Sequence, residues 1–260
     1  IDERSGGFIA LGMAQQVRKP VGLVCTSGSA AYNYAPAVVE AFFQRIPLLV
    51  FTADRPPEWI GQQDGQTIYQ QGIFGKHCKA SYTFPADFLH TDTTWYANRI
   101  INEAILTAEA YPCGPVHVNF PIREPFYPNS ADLFTYPTQR KVTAIEAEKR
   151  LSASQWHDLQ DQWEAAERIL IAVGQRTPDP RLATILAQLS EEWHIPVVAD
   201  VIGNCRHESF IQNHDFFLQK CDTPDFQPDL LITIGNSFVS KSLKQYLRTF
   251  PTELHWHVDP

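Results

Sequence analysis

The sequence predicts an α/β protein built from two doubly wound parallel-sheet domains, on three observations. Apolar runs rich in β-branched residues recur at Val21 to Cys25, Leu48 to Thr52, Val116 to Phe120, Arg168 to Gly174 and Leu230 to Gly235. They are too short for helices and lack polar alternation, as parallel strands covered on both faces do. The segments between them carry apolar residues at helical spacing, so strand and helix alternate. A stretch with Pro125, Pro128 and Pro137, scattered aromatics and then a charged run interrupts the alternation. It divides the chain into residues 1–125, a linker at 126–152, and residues 153–260.

Ser5 to Val17 is expected as the first helix, with Phe8, Ile9, Leu11 and Met13 on its apolar face and Gly6, Gly7 and Gly12 allowing close packing. Asp2, Glu3 and Arg4 stand just before it, where the partial positive charge of a helix N-terminus by itself favours carboxylates. Val21 to Cys25 reads as a strand that halts at the small residues Thr26-Ser27-Gly28-Ser29. Ser29 is placed to cap a helix from Ala30 to Phe43, and Leu48 to Thr52 completes a βαβ unit. Ligands of open parallel sheets sit beyond the carboxyl ends of the strands, which directs attention to Thr26–Ser29 and Thr52–Pro57. The first segment offers hydroxyls and free N–H groups suited to an anion or a polar ring edge. The second sets Asp54 and Arg55 before two stiffening prolines, either as functional groups or as residues that pair with neighbours and only shape the loop.

Trp59 to Gly75, rich in Gln and Gly, reads as a long surface loop whose glutamines are either functional or solvent-facing. Phe74 to Phe84 fits a turn or a short strand equally. His77 and Cys78 read as packing residues, because no other ligand stands at metal spacing. Tyr96 to Ala110 is an amphipathic helix stopped by Tyr111-Pro112-Cys113-Gly114-Pro115, and Val116 to Phe120 is the next strand. The second set comprises a helix from Ser154 to Ala166, a strand ending at Gly174, a helix from Pro180 to Trp193 and a strand at Val197 to Asp200. A long irregular piece follows, then a strand ending at Gly235, a helix near Lys241 to Tyr246 and a strand at Glu253 to Val258. Strands that end in Gly before a helix suggest nucleotide binding, but neither carries a full G-x-G-x-x-G, so the dinucleotide signal is weak. Lys241, at a helix start, either meets an anion or is solvated.

With 260 residues, 44% of them hydrophobic, the chain is long enough for two domains with buried cores. A net charge of -8 without a basic cluster argues against a nucleic-acid partner. The five cysteines are scattered and include no C-x-x-C pair, which points away from disulfides and zinc and toward a reducing cytoplasm. No apolar run reaches the roughly 20 residues that span a bilayer, so no membrane partner is expected. The chain opens without Met and enters a helix at once, and the expectation is a piece lacking an opening strand and a carboxyl-terminal part.

DERSGGFIALGMA, VCTSGSAAYNYAPAVVEA and LLVFTADRPPE together resemble the pyrimidine-binding domain of thiamine-diphosphate enzymes. The combination of DER, TSGSA and TADRPPE, of which ADRPPE is the specific part, most closely resembles the 2-succinyl-5-enolpyruvyl-6-hydroxy-3-cyclohexene-1-carboxylate synthases of menaquinone biosynthesis, the MenD family. The resemblance is strong to about Pro121. Beyond it, LLITIGNSFVSKSL resembles the family's Rossmann-like central domain.

The resemblance implies a thiamine-diphosphate-dependent transferase acting as a carboligase. It would decarboxylate 2-oxoglutarate and add the four-carbon acyl anion to isochorismate by 1,4-addition. Glu3 matches the catalytic glutamate that hydrogen-bonds N1′ of the cofactor's aminopyrimidine and promotes the imino tautomer, whose N4′ takes the thiazolium C2 proton. A carboxyl with its pKa raised in an apolar pocket suits that exchange. Ser29 and Asn33 fall in the cofactor-proximal turn and helix. Arg55, Gln66 and Lys241 match substrate-binding residues, the arginine offering carboxylates a fixed fork of donors. Gly65 and Ser242 depart from the family pattern, which leaves those loops less secured.

The family holds the diphosphate and Mg2+ (or manganese) on a further domain with a GDG motif that this sequence lacks, so no metal ligand is assigned and the piece alone is expected not to turn over. A cytoplasmic homodimer or homotetramer is implied. Two other readings stay open: another thiamine-diphosphate decarboxylase or acetolactate synthase, and a non-catalytic Rossmann-like nucleotide-binding scaffold.

Overall fold

The computed structural model describes residues 2–123, 127, 139–145 and 147–259. The chain forms two compact units, residues 1–146 and 147–260. Of the expected linker, residues 126, 128–138 and 146 lie outside the described residues.

In the first unit, strands β1 (Val21–Cys25), β2 (Leu48–Asp54), β3 (Ala80–Thr83) and β4 (Val116–Pro121) make a parallel sheet in the order β1-β2-β4-β3. Alternation along β2 gives the sheet two buried faces. Leu48 and Val50 pack with residues of helices α1 (Glu3–Val17) and α3 (Ala35–Gln44), whereas Leu49 and Phe51 pack with those of α4 (Thr91–Glu109). β2 runs two residues past the expected Thr52, because its ladder with β4 continues through Ala53 and Asp54. The ambiguous stretch after Phe74 resolves into edge strand β3, paired with β4.

Three local expectations are corrected. α1 begins at Glu3, two residues earlier than expected, because the Asp2 carboxylate accepts the N–H groups of Arg4 and Ser5 at 3.2 Å each and caps the helix there. Glu3 therefore stands in the first turn. Of the α1 glycines only Gly7 permits close packing: a Cβ there would meet that of Ala37 at 3.0 Å, whereas Gly6 and Gly12 have nothing within 4 Å. The helix expected from Ala30 to Phe43 is two, α2 (Ala30–Asn33) and α3, broken at Tyr34. Pro36 supplies no N–H, and its ring would collide with the carbonyl four residues back, so it fits only in a first turn.

In the second unit, β5 (Ile169–Val173), β6 (Val197–Ala199), β7 (Leu230–Ile234) and β8 (Leu254–Val258) form a parallel sheet in the order β6-β5-β7-β8. Ile171, Val173, Ile232 and Ile234 pack with residues of α5 (Ala153–Ala165) and α6 (Pro180–Glu192). Val198 packs on the other face with residues of α7 (His214–Leu218) and α8 (Lys241–Thr249). Both units are thus doubly wound parallel-sheet domains. The strand-ending glycines have a structural cause: a Cβ on Gly174 would lie 2.6 Å from the Asn236 carbonyl oxygen, and one on Gly235 (φ 84°) would lie 2.7 Å from that of Gln175. The loops after β5 and β7 pack on each other's backbone, with Asn236 N–H donating to the Gln175 carbonyl at 2.8 Å. No helix among the described residues is long and apolar enough to cross a membrane.

Candidate active site

At the carboxyl end of the first sheet, β1 runs into the turn Thr26–Ser29. Gly28 adopts φ 86°, in the left-handed region that favours glycine, and a Cβ there would stand 3.2 Å from the Gln66 carbonyl oxygen. The loop that follows Arg55 therefore lies directly on this turn. One side chain fastens it: the Gln70 carboxamide accepts the Gly28 N–H at 2.6 Å and donates to the Ala53 carbonyl at 2.8 Å.

Behind the turn a buried polar network crosses the strands. Thr52 Oγ1 donates to Asn119 Oδ1 at 2.8 Å, which leaves it to accept from His117 Nε2 at 2.8 Å. His117 Nδ1 in turn accepts from Ser81 Oγ at 3.0 Å, so the donor order assigns a neutral Nε2–H tautomer. Burial pushes the His117 imidazole down to about 4, consistent with that neutral form. Asn119 Nδ2 donates to Asp54 Oδ2 at 2.6 Å, and Asp54 Oδ1 accepts the Arg55 N–H at 2.8 Å. Burial raises the Asp54 carboxyl above its ordinary range, against the lowering effect of those two donors. Asp54 is thus a strand residue that fixes the backbone carrying Arg55.

Among the sequence-predicted site residues, Glu3 is half-buried in the first turn of α1. Its charge adds to burial in pushing the thiol of Cys25, the last residue of β1, up to about 11. Its carboxylate has no hydrogen bond or ion pair among the described residues. Ser29 and Asn33 are exposed, and Ser29 is already helical (φ -62°, ψ -16°) with no capping bond, which corrects the expected N-cap. Arg55 is half-buried, its guanidinium 5.8 Å from the centre of the Trp59 ring, a cation–π distance. Gln66 is exposed at φ 57°. These five belong to the first unit.

Lys241 belongs to the second unit, exposed at the first position of α8. The loop before it is held by Asp200, whose Oδ2 accepts the N–H groups of Val239 and Ser240 at 2.6 and 3.0 Å. A cation at a helix N-terminus opposes the local partial charge, so helix stability does not account for this lysine. Among the described residues no group of three or more His, Cys, Asp and Glu is placed to hold a metal ion.

Sequence reasoning passed over Gln70, His117 and Asn119. A signal was available for two of them: His117 and Asn119 stand two apart in an otherwise apolar strand, which puts both on one face. Gln70 carries no local signal that separates it from the other glutamines of its loop.

Residues 1–76, which open the first parallel-sheet unit, match the family described as thiamine pyrophosphate enzyme, N-terminal TPP binding domain. Along its whole length the chain is, more particularly, similar to proteins named 2-succinyl-5-enolpyruvyl-6-hydroxy-3-cyclohexene-1-carboxylate synthase. It is 44% identical over 266 residues to that of Cytophaga hutchinsonii, covering 100% of this chain and 46% of the relative. It is 38% identical over 259 residues to that of Porphyromonas gingivalis, covering 99% and 44%. With the protein of Desulfotalea psychrophila the figures are 36% over 264 residues, 100% and 49%. The chain thus spans about half the length of the curated relatives it matches.

Proposed function

We propose that this chain forms the pyrimidine-binding and central domains of a cytoplasmic, thiamine-diphosphate-dependent carboligase that decarboxylates 2-oxoglutarate and adds the remaining four-carbon unit to isochorismate. The observation that carries the reading is Glu3: a half-buried carboxylate without a hydrogen-bond partner among the described residues, acting electrostatically on the end of β1. A pyrimidine edge is a ligand that such a carboxylate fits, and the similarity to the synthases supports the choice of substrates. The bound cofactor would supply the nucleophilic carbon and the electron sink for loss of CO2. Glu3 would hold or share the proton at N1′ of its pyrimidine. Ser29 and Asn33 would line the entry to that turn. In the first unit, Arg55, its guanidinium over the Trp59 ring, and Gln66 would bind substrate carboxylates. In the second unit, considered by itself, Lys241 would be a further substrate-binding residue. The Mg2+ and diphosphate would be held by residues outside this chain, in a homodimer or homotetramer.

The test is Glu3→Gln in the native full-length protein, with product formation from 2-oxoglutarate and isochorismate measured with excess cofactor. A loss of about 100-fold or more is expected, the range for a positioned acid-base group. Retention of near wild-type turnover would assign Glu3 to helix stability and defeat the reading. Formation of a different product from 2-oxo acids, with isochorismate left unused, would place the chain in another thiamine-diphosphate activity.

A further inference from the structure

We propose that Gln70 is a positioning residue for this reaction: its buried carboxamide latches the Gln66 loop onto the turn after β1 and so fixes the gap between Gln66 and the Glu3 side of the site. The inference rests on the functional reading above and adds a residue to it.

The loop from Gly61 to Gly72 is mostly exposed, yet Gln70 within it is 0% exposed. Its carboxamide uses its acceptor and both donors. Oε1 takes the Gly28 N–H at 2.6 Å, and Nε2 gives to the Ala53 carbonyl at 2.8 Å and to Asn119 Oδ1 at 3.1 Å. One side chain thus joins the turn after β1, the end of β2 and the end of β4. Among the described residues no other side chain between 61 and 75 hydrogen-bonds outside the loop. The next anchors are apolar, Ile73 and Phe74 in the core beneath. Loss of the latch would therefore release the segment ahead of Ile73 while leaving its base fixed. The contact that would open first is Gln66 against Gly28, where a Cβ would already meet backbone at 3.2 to 3.3 Å. Satisfying all three of these hydrogen-bonding positions in a buried site makes the geometry rigid as well as stable. A group misplaced by about 1 Å in an active site costs on the order of 100-fold in rate.

The experiment is a double-mutant cycle in the native full-length protein with Gln70→Met, which keeps the volume and removes the hydrogen bonds, and Gln66→Ala. Gln70→Met is expected to lower kcat/KM by about 10- to 100-fold. Gln66→Ala is expected to cost clearly less in the Gln70→Met background than alone, because the loop it sits on is already displaced. Hydrogen exchange is expected to rise in residues 61–72 and not in β2 or β4. Strictly additive kinetic effects, or a lower Tm with unchanged kcat/KM, would overturn the proposal. If Gln70→Met does not fold, Gln70→Asn, which keeps the amide but is one methylene short, takes its place; failure of both to fold would assign Gln70 to stability alone. If wild type forms no product, the functional reading fails instead, and the exchange of residues 61–72 still decides whether the latch exists.

Discussion

His117 shows how a single residue ties the fold to pH. The folded chain holds its imidazole neutral, with a pKa near 4 in place of 6.5, because the ring is buried and both nitrogens are committed to Thr52 and Ser81. The unfolded chain takes up that proton near 6.5, so between about 6.5 and 4 it binds more protons than the native state. Stability contributed by a neutral His117 is therefore complete above about pH 6.5 and is lost as pH falls toward 4, by roughly 3 kcal/mol over the window. Urea unfolding followed across that range should show the decline, and His117→Gln should flatten it. An equal slope in the variant would locate the acid sensitivity elsewhere. Asp54, whose carboxyl is raised, contributes in the opposite sense: its share is complete below the ordinary carboxylate range and is lost as pH rises through the raised value.

At the scale of elements, glycine and capping positions separate residues that merely permit a helix from residues that build a crossing. Gly174→Ala should destabilise the second unit by about 1–3 kcal/mol, because the new methyl meets backbone carbonyls that cannot turn away. Gly12→Ala, mid-helix in open space, should instead stabilise the first unit by about 0.5–1 kcal/mol. Thermal unfolding of both variants checks the pair of signs. α5 starts with a reciprocal cap in which Ser152 and Gln155 each take the other's backbone N–H. Ser152→Ala should cost about 1 kcal/mol, read in the same experiment. Most elements were legible beforehand because period and breakers are local: seven of the eight described strands fall within two residues of expectation, whereas edge strand β3 is ambiguous in the sequence and α7 reads there as irregular. The break at Tyr34 was missed although Pro36 stood in plain view, because the apolar spacing continued through it.

On the scale of the whole molecule, a net charge of -8 repels polyanionic substrates in general, so particular cations must overcome it. Lys241→Ala in the native full-length protein should raise KM for the proposed substrates by about 10-fold, with Lys241→Arg recovering part of the loss; an unchanged KM in steady-state kinetics would make Lys241 a solvated surface residue. The sequence by itself determined two alternating α/β sets, the strand ends where ligands of such sheets gather, and a resemblance carried by TADRPPE, since these depend on residues near one another along the chain. Only the tertiary structure decided which polar residues serve those ends. Gln70 reaches Gly28 across 42 positions and Asn119 reaches Asp54 across 65. A hydrogen bond between distant segments is fixed by how the strands stack and leaves no periodic trace in the chain that makes it.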